Sequence, residues 1–123
     1  MEYLINENRP IFAQIAERIE NDIIAGELPE EAQVPSTNQF ASFYQINPAT
    51  AARGVNLLVD QGMLYKKRGL GMYVVPGARA KLLVKRREQF FEQYVMTMLQ
   101  EAEKLDITTE QVIEMVHRRV NVP

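Results

Sequence analysis

One helix-length stretch, residues 47–62, constrains this chain more than any other part of it: Asn-Pro-Ala-Thr-Ala-Ala-Arg-Gly-Val-Asn-Leu-Leu-Val-Asp-Gln-Gly. Both ends are marked by residue type. Asn47 can accept a hydrogen bond from a first-turn N–H, Pro48 suits the first helical position where no N–H is missed, and Gly62 supplies a left-handed residue that stops the helix. Ala51, Val55, Leu58 and Val59 recur at helical spacing on the face to be buried, which leaves Ala49, Thr50, Arg53 and Asn56 outward. Just upstream, Ser36 and Gln39 have the spacing of a capping box. Phe40, Ala41, Phe43 and Tyr44 are predicted to form the apolar face of a short helix ending near Gln45. Ile46 is expected to plug the tight turn between the two, and two short helices so joined are a helix-turn-helix. The outward set on the second helix is small or polar, with no acid before Asp60. That suits the front of a helix entering a major groove between two phosphate chains.

The flanking segments complete a unit around this pair. Leu4-Ile5 is long enough only for an edge pairing. After Pro10, the residues Ile11, Phe12, Ile15, Ile19 and Ile23 form one apolar stripe of a helix ended by Gly26, with Glu17, Arg18, Glu20 and Asn21 turned to water. Residues 27–35 contain two prolines and read as a loop whose Val34 touches the core. Beyond Gly62 the period changes. Met63-Leu64-Tyr65-Lys66 and Met72-Tyr73-Val74-Val75 favour strands and flank Lys67-Arg68-Gly69-Leu70-Gly71, which predicts a hairpin with a basic, glycine-containing tip. A helix-turn-helix followed by such a hairpin is a winged helix. Pro76-Gly77 marks the expected boundary between a DNA-binding domain at 1–77 and a helical tail at 78–123. In the tail, a long helix over about 80–105 carries Phe91, Tyr94, Val95, Met98, Leu99, Ala102 and Leu105 on one side. Thr108 with Gln111 caps a last helix with Val112, Ile113, Val116 and Val120 as its apolar positions. The stripe is wider than one short following helix covers, so Phe91, Tyr94, Val95, Met98, Leu99 and Ala102 are the expected dimerisation residues.

Charge sharpens the functional reading. The net charge of -2 conceals a strong segregation. Residues 1–32 hold eight acids against Arg9 and Arg18, residues 33–87 hold nine cations against Asp60 alone, and residues 88–123 hold seven acids against three cations. The positive charge is confined to the middle of the chain. With no cysteine and one histidine among 123 residues, the chain has no disulfide framework and no thiolate-imidazole zinc site. His117 is read as a surface or structural residue. No apolar run or basic-then-apolar leader suggests a membrane span or export, so the expected location is the cytoplasm.

The motifs Pro10-Ile11-Phe12 with Gln14-Ile15, Gly26-Glu27-Leu28, Pro35-Ser36, Asn47-Pro48-Ala49-Thr50, Gly62-Met63-Leu64 and Arg68-Gly69-Leu70-Gly71 together resemble the GntR family of bacterial transcription regulators. The likeness runs in order over about residues 10–75. The short tail and the Asn-Pro-x-Thr form resemble the YtrA subfamily, dimers with a two-helix tail often encoded beside ABC transporters. The resemblance implies DNA contact by Ser36, Thr50 and Arg53 and by the wing at Arg68, Gly69 and Gly71. Asn38 stands where the wider family usually has arginine in the first short helix. Pro48 stands where most branches have arginine, as is normal for the YtrA branch.

The full set of candidate DNA-binding residues is therefore Ser36, Thr37, Asn38, Asn47, Ala49, Thr50, Arg53, Lys66, Lys67, Arg68, Gly69 and Gly71. The partners expected are double-stranded DNA and a second copy of the chain, with no cofactor, no metal and no membrane. The reading is a sequence-specific regulator, a repressor, on a near-palindromic operator. Two rivals are a winged helix that binds protein and a small enzyme. The first calls for acidic or apolar residues on the outer face of the recognition helix and wing. The second calls for a nucleophile with its base, paired carboxylates or a metal cluster. The basic run at 79–87 fits a DNA-skirting stripe and a solvated helix face equally well.

Overall fold

The structure is a computed structural model in which residues 8–121 are described, with side chains to Arg119; the predicted pairing at Leu4-Ile5 and the side chain of Val120 lie outside the described residues. The chain falls into two units, Met1–Leu83 and Val84–Pro123.

The first unit is built on α1 (Ile11–Ala25), which Pro10 precedes and Gly26 closes in a left-handed conformation. Ile15, Ile19 and Ile23 of the predicted stripe are almost wholly buried. Two residues expected in water are not there. Glu20 is 7% exposed, and Arg18 donates to Asp22 at 2.9 Å and to the Tyr44 hydroxyl at 3.3 Å. The periodicity assumed one buried face, whereas neighbouring elements reach α1 from more than one side. α2 (Thr37–Tyr44) opens on the predicted capping box: Ser36 Oγ accepts from the Gln39 N–H at 3.1 Å, and Gln39 Oε1 accepts from the Ser36 N–H at 2.7 Å. Its buried stripe is narrow. Phe40 and Ala41 are in the core, but Phe43 is 71% exposed and lies edge-on to Tyr44, contrary to expectation. Gln45 turns the chain in a left-handed conformation, and half-buried Ile46 packs against the core before α3 (Pro48–Asp60) begins.

Ala51, Val55 and Leu58 of α3 are at most 1% exposed. Gly54 makes the closest approach. A Cβ there would meet the Phe12 carbonyl oxygen at 2.6 Å and the Ile15 Cβ at 3.0 Å, so α1 and α3 cross at a spacing only glycine permits. The hairpin follows as β1 (Leu64–Lys67) and β2 (Gly71–Val74), antiparallel, with Leu64 opposite Val74 and Tyr65 opposite Tyr73. The expected loop at 27–35 does bury Val34, and it also pairs with β2. Val34 N–H donates to Met72 O at 2.9 Å, Val74 N–H donates to Ala32 O at 3.0 Å, and Gln33 bridges Tyr73.

α4 (Ala78–Phe90) starts inside this unit, not after it. Ala78 and Leu82 are fully buried in its core, and the Arg79 guanidinium donates to Ile24 O at 3.0 Å, satisfying a carbonyl at the end of α1. The Glu30 carboxylate accepts from the Gly77 N–H at 2.5 Å, at the positive end of α4. The expected boundary after Gly77 is thus a turn within a unit that runs to Leu83.

In the second unit, the long helix expected over 80–105 is interrupted by a π-helical turn (Phe91–Val95) before α5 (Met96–Lys104). The wider turn slips the register of the apolar stripe, which a constant period could not reveal. Asp106, at φ 57°, turns the chain into α6 (Thr109–Asn121). The predicted Thr108–Gln111 box is formed, with reciprocal bonds of 2.8 and 3.1 Å. Ala102 and Val112 are buried within this unit, each 7% exposed.

Replacing Gly54 with alanine gains the helical preference of alanine, roughly 0.5–1 kcal/mol. It also forces a Cβ onto a backbone oxygen, and such overpacking costs typically about 1–3 kcal/mol. The overpacking wins, so Gly54→Ala lowers the midpoint of urea unfolding and Gly54→Val lowers it further.

Candidate nucleic-acid interface

Three short stretches of the first unit carry the candidate residues: the N-terminus of α2, the N-terminal half of α3, and the hairpin tip. Ser36 and Asn38 are exposed and Thr37 is half-buried. Asn47 Oδ1 accepts from the Ala49 N–H at 2.8 Å, and Pro48 occupies the first turn as expected. Capping does not use up these side chains. Ser36 keeps its hydroxyl proton and Asn47 its amide NH2, and both remain donors suited to phosphate oxygen. The positive ends of the α2 and α3 helix dipoles add to that potential.

Ala49, Arg53 and Asn56 are exposed and Thr50 is half-buried, so α3 presents the small, acid-free surface predicted from its sequence. The Arg53 guanidinium carbon lies 3.8 Å from the centroid of the Phe12 ring. Sequence reasoning placed Phe12 only in an apolar stripe. Its nearness to Arg53 depends on the tight crossing at Gly54, a contact between helices that no single-helix pattern records.

At the wing, Lys66 and Arg68 are exposed while Lys67 is half-buried. Lys67 Nζ lies 4.2 Å from the centroid of Tyr73 and 3.9 Å from the Glu31 carboxylate, which draws it back along the hairpin. The Tyr65 hydroxyl also donates to Glu31, and that bond raises the phenol's pKa above its usual value. Gln33 Nε2 donates to Leu70 O at 2.8 Å, bracing the tip. Gly71 has φ 107° and faces Gln33 Nε2, 3.0 Å from where a Cβ would sit. It is held as glycine by conformation and by space.

Of the expected dimerisation residues, Phe91, Tyr94 and Met98 are exposed, Val95 and Leu99 are half-buried, and Ala102 is already covered within its own unit. Residues Met98, Leu105, Ile107, Val112, Met115 and Val116 line an apolar groove of about 430 Å³. Among the described residues no cluster of metal-ligating side chains occurs, and no helix is long and apolar enough to cross a membrane.

Comparison with known proteins agrees with this geometry. Residues 12–74 match the model of bacterial regulatory proteins, gntR family. The chain is 34% identical over 65 residues to the HTH-type transcriptional repressor NagR of Bacillus subtilis, a match covering 53% of this chain and 27% of that relative. The chain thus spans about a quarter of NagR. A GntR family transcriptional regulator from Listeria monocytogenes superposes with TM-score 0.76 at 25% identity, covering 93% of this chain and 98% of that one. The DNA-binding domain of AraR, solved in complex with operator ORX1, superposes with TM-score 0.53 at 26% identity, covering 61% of this chain and 92% of that one. YtrA from Sulfolobus acidocaldarius shares the fold, with TM-score 0.52 at 24% identity over 98% of this chain and 96% of that one. The chain belongs to the gntR family of bacterial regulatory proteins, and residues 12–74 form the winged-helix, DNA-binding unit of that family of transcription regulators.

The wing makes a quantitative prediction. Neutralising Lys66 and Arg68 together should weaken binding to all duplexes and flatten the log-log salt dependence by about 1.8, at about 0.9 per phosphate contact. Lys67→Ala, whose charge is held back by Tyr73 and Glu31, should change the slope less. Titrations at four or more salt concentrations measure both.

Proposed function

We propose that the protein acts in the cytoplasm as a homodimeric repressor that binds a near-palindromic operator through the twelve candidate residues above, as a member of the YtrA branch controlling an ABC transporter operon. The Asn-Pro-Ala-Thr start of α3 supports the branch. Repression is supported by the likeness to NagR, named as a repressor.

The observation that carries the dimer is the second unit's unburied apolar surface. α5 and α6 bury Ala102 and Val112 between them, yet leave Phe91, Tyr94, Met98, Ile113, Met115 and Val116 exposed. At about 25 cal/mol per Å² of apolar area, covering such a surface favours association over water. A second copy is the occupant that also makes functional sense. A two-fold axis duplicates the DNA-binding unit, and paired recognition helices suit half-sites about one helical turn, ~34 Å, apart.

Sedimentation velocity and selection of bound sequences from random DNA test this together. The wild type should sediment as a dimer at micromolar concentration and select a palindrome. Phe91→Glu with Met98→Glu should give a folded monomer that binds weakly and shows no preference for two half-sites. A wild-type monomer, or a doubly charged variant that remains a dimer with full operator affinity, contradicts the proposal.

A further inference from the structure

We infer that Phe12, on a helix assigned no part in DNA binding, is a positioning residue for sequence recognition: its ring is the platform that aims Arg53 at the groove. This rests on the reading of α3 as the helix that meets DNA.

The geometry makes one residue of α1 responsible for two adjacent residues of α3. The Phe12 carbonyl oxygen sits where a Cβ of Gly54 would have to go, 2.6 Å away, so the backbones are locked at this point. The Phe12 ring then lies under the neighbouring Arg53, with 3.8 Å between the guanidinium carbon and the ring centroid. Stacking engages the face of a planar cation and leaves its N–H groups, which lie in the plane around its edge, free to donate. A bidentate bond to guanine O6 and N7, or to a phosphate, uses those edges. A guanidinium carbon 3.8 Å from a ring centroid is within reach of face-on contact, and an arginine so held is preorganised for recognition by its edge, with less rotamer freedom left to lose when DNA arrives. Phe12 is half-buried, so its ring remains available to Arg53. Lysine at position 53 would keep the charge but lose both the planar stack and the forked edge.

The test is a double-mutant cycle on the full-length protein, read as the ratio of affinities for a duplex selected by the wild type and for a random-sequence duplex. Urea unfolding is run on each variant. Phe12→Leu should lower the ratio about two- to fivefold, the range expected for an exposed cation–π contact, with random-duplex affinity and salt slope unchanged. Phe12→Tyr should restore the ratio. In an Arg53→Ala background, Phe12→Leu should have no further effect on the ratio, although any cost to stability persists. Arg53→Lys should reproduce the Phe12→Leu pattern of lost discrimination with retained salt slope, with the larger loss in the ratio. If Arg53→Ala lowers the ratio but Phe12→Leu leaves it unchanged, or lowers it equally in both backgrounds, the platform is overturned while the α3 assignment stands. If Arg53→Ala itself leaves the ratio unchanged, Arg53 does not discriminate sequence and the platform is overturned; α3 falls as the helix that meets DNA only if Arg53→Ala leaves the affinity for both duplexes unchanged as well.

Discussion

The crossing of α1 and α3 at Gly54 is the contact on which the DNA-binding unit depends. A helix surface normally keeps its neighbour about 8–10 Å away, axis to axis, by the bulk of its side chains. Here the missing Cβ lets a backbone oxygen of α1 reach the surface of α3. That approach lets Ile15 and Ile19 pack beside Ala51, Val55 and Leu58 in one buried cluster. It also leaves the first half of α3, with Thr50 and Arg53, projecting from a rigid base. α3 is thus seated on both the backbone of α1, at the Phe12 carbonyl, and its buried isoleucines.

The acids around this unit serve the interface indirectly. The acidic segment before α2 looks unsuited to a DNA-binding protein, yet two of its carboxylates, Glu30 and Glu31, have internal partners. Glu30 holds the start of α4, and Glu31 takes the Tyr65 hydroxyl and lies near Lys67. Together with the Gln33 bond to Leu70 O, these contacts stiffen the hairpin from its inner side, leaving Lys66 and Arg68 facing outward. Electrostatic attraction to phosphate is long-ranged and tolerant of geometry, whereas holding a two-stranded wing in place is not, since an isolated hairpin is marginal in water. Of the three wing cations, Lys67 lies against Tyr73 and Glu31, while Lys66 and Arg68 are exposed.

Local signals were legible in the sequence and contacts between elements were not. The Ser36–Gln39 and Thr108–Gln111 boxes, the Asn47 cap with Pro48, and the hairpin each depend on residues within a few positions of one another, and each is present. Several departures involve a partner far along the chain. Arg79 was one of a basic run until the end of α1 was placed beside it, and Phe12 was one of a stripe until α3 was laid across it. Ala78 and Leu82 joined the first unit because their burial depends on the core they meet, while Pro76-Gly77 signals only a turn. Phe43 was misplaced because an eight-residue helix supports a narrower buried stripe than its composition suggests. The π turn at Phe91–Val95 left no mark in residue type.

The central claim is that the N-termini of α2 and α3 and the hairpin tip form one surface that meets DNA. It is tested most directly by titrating isotope-labelled protein with a duplex selected from random DNA and following backbone amide and arginine side-chain resonances. The account predicts that the largest shifts fall at residues 36–38, 47–53 and 66–71, with the Arg53 side-chain N–H signals among them. Shifts concentrated elsewhere, with those three stretches and Arg53 unmoved at saturation, would contradict it.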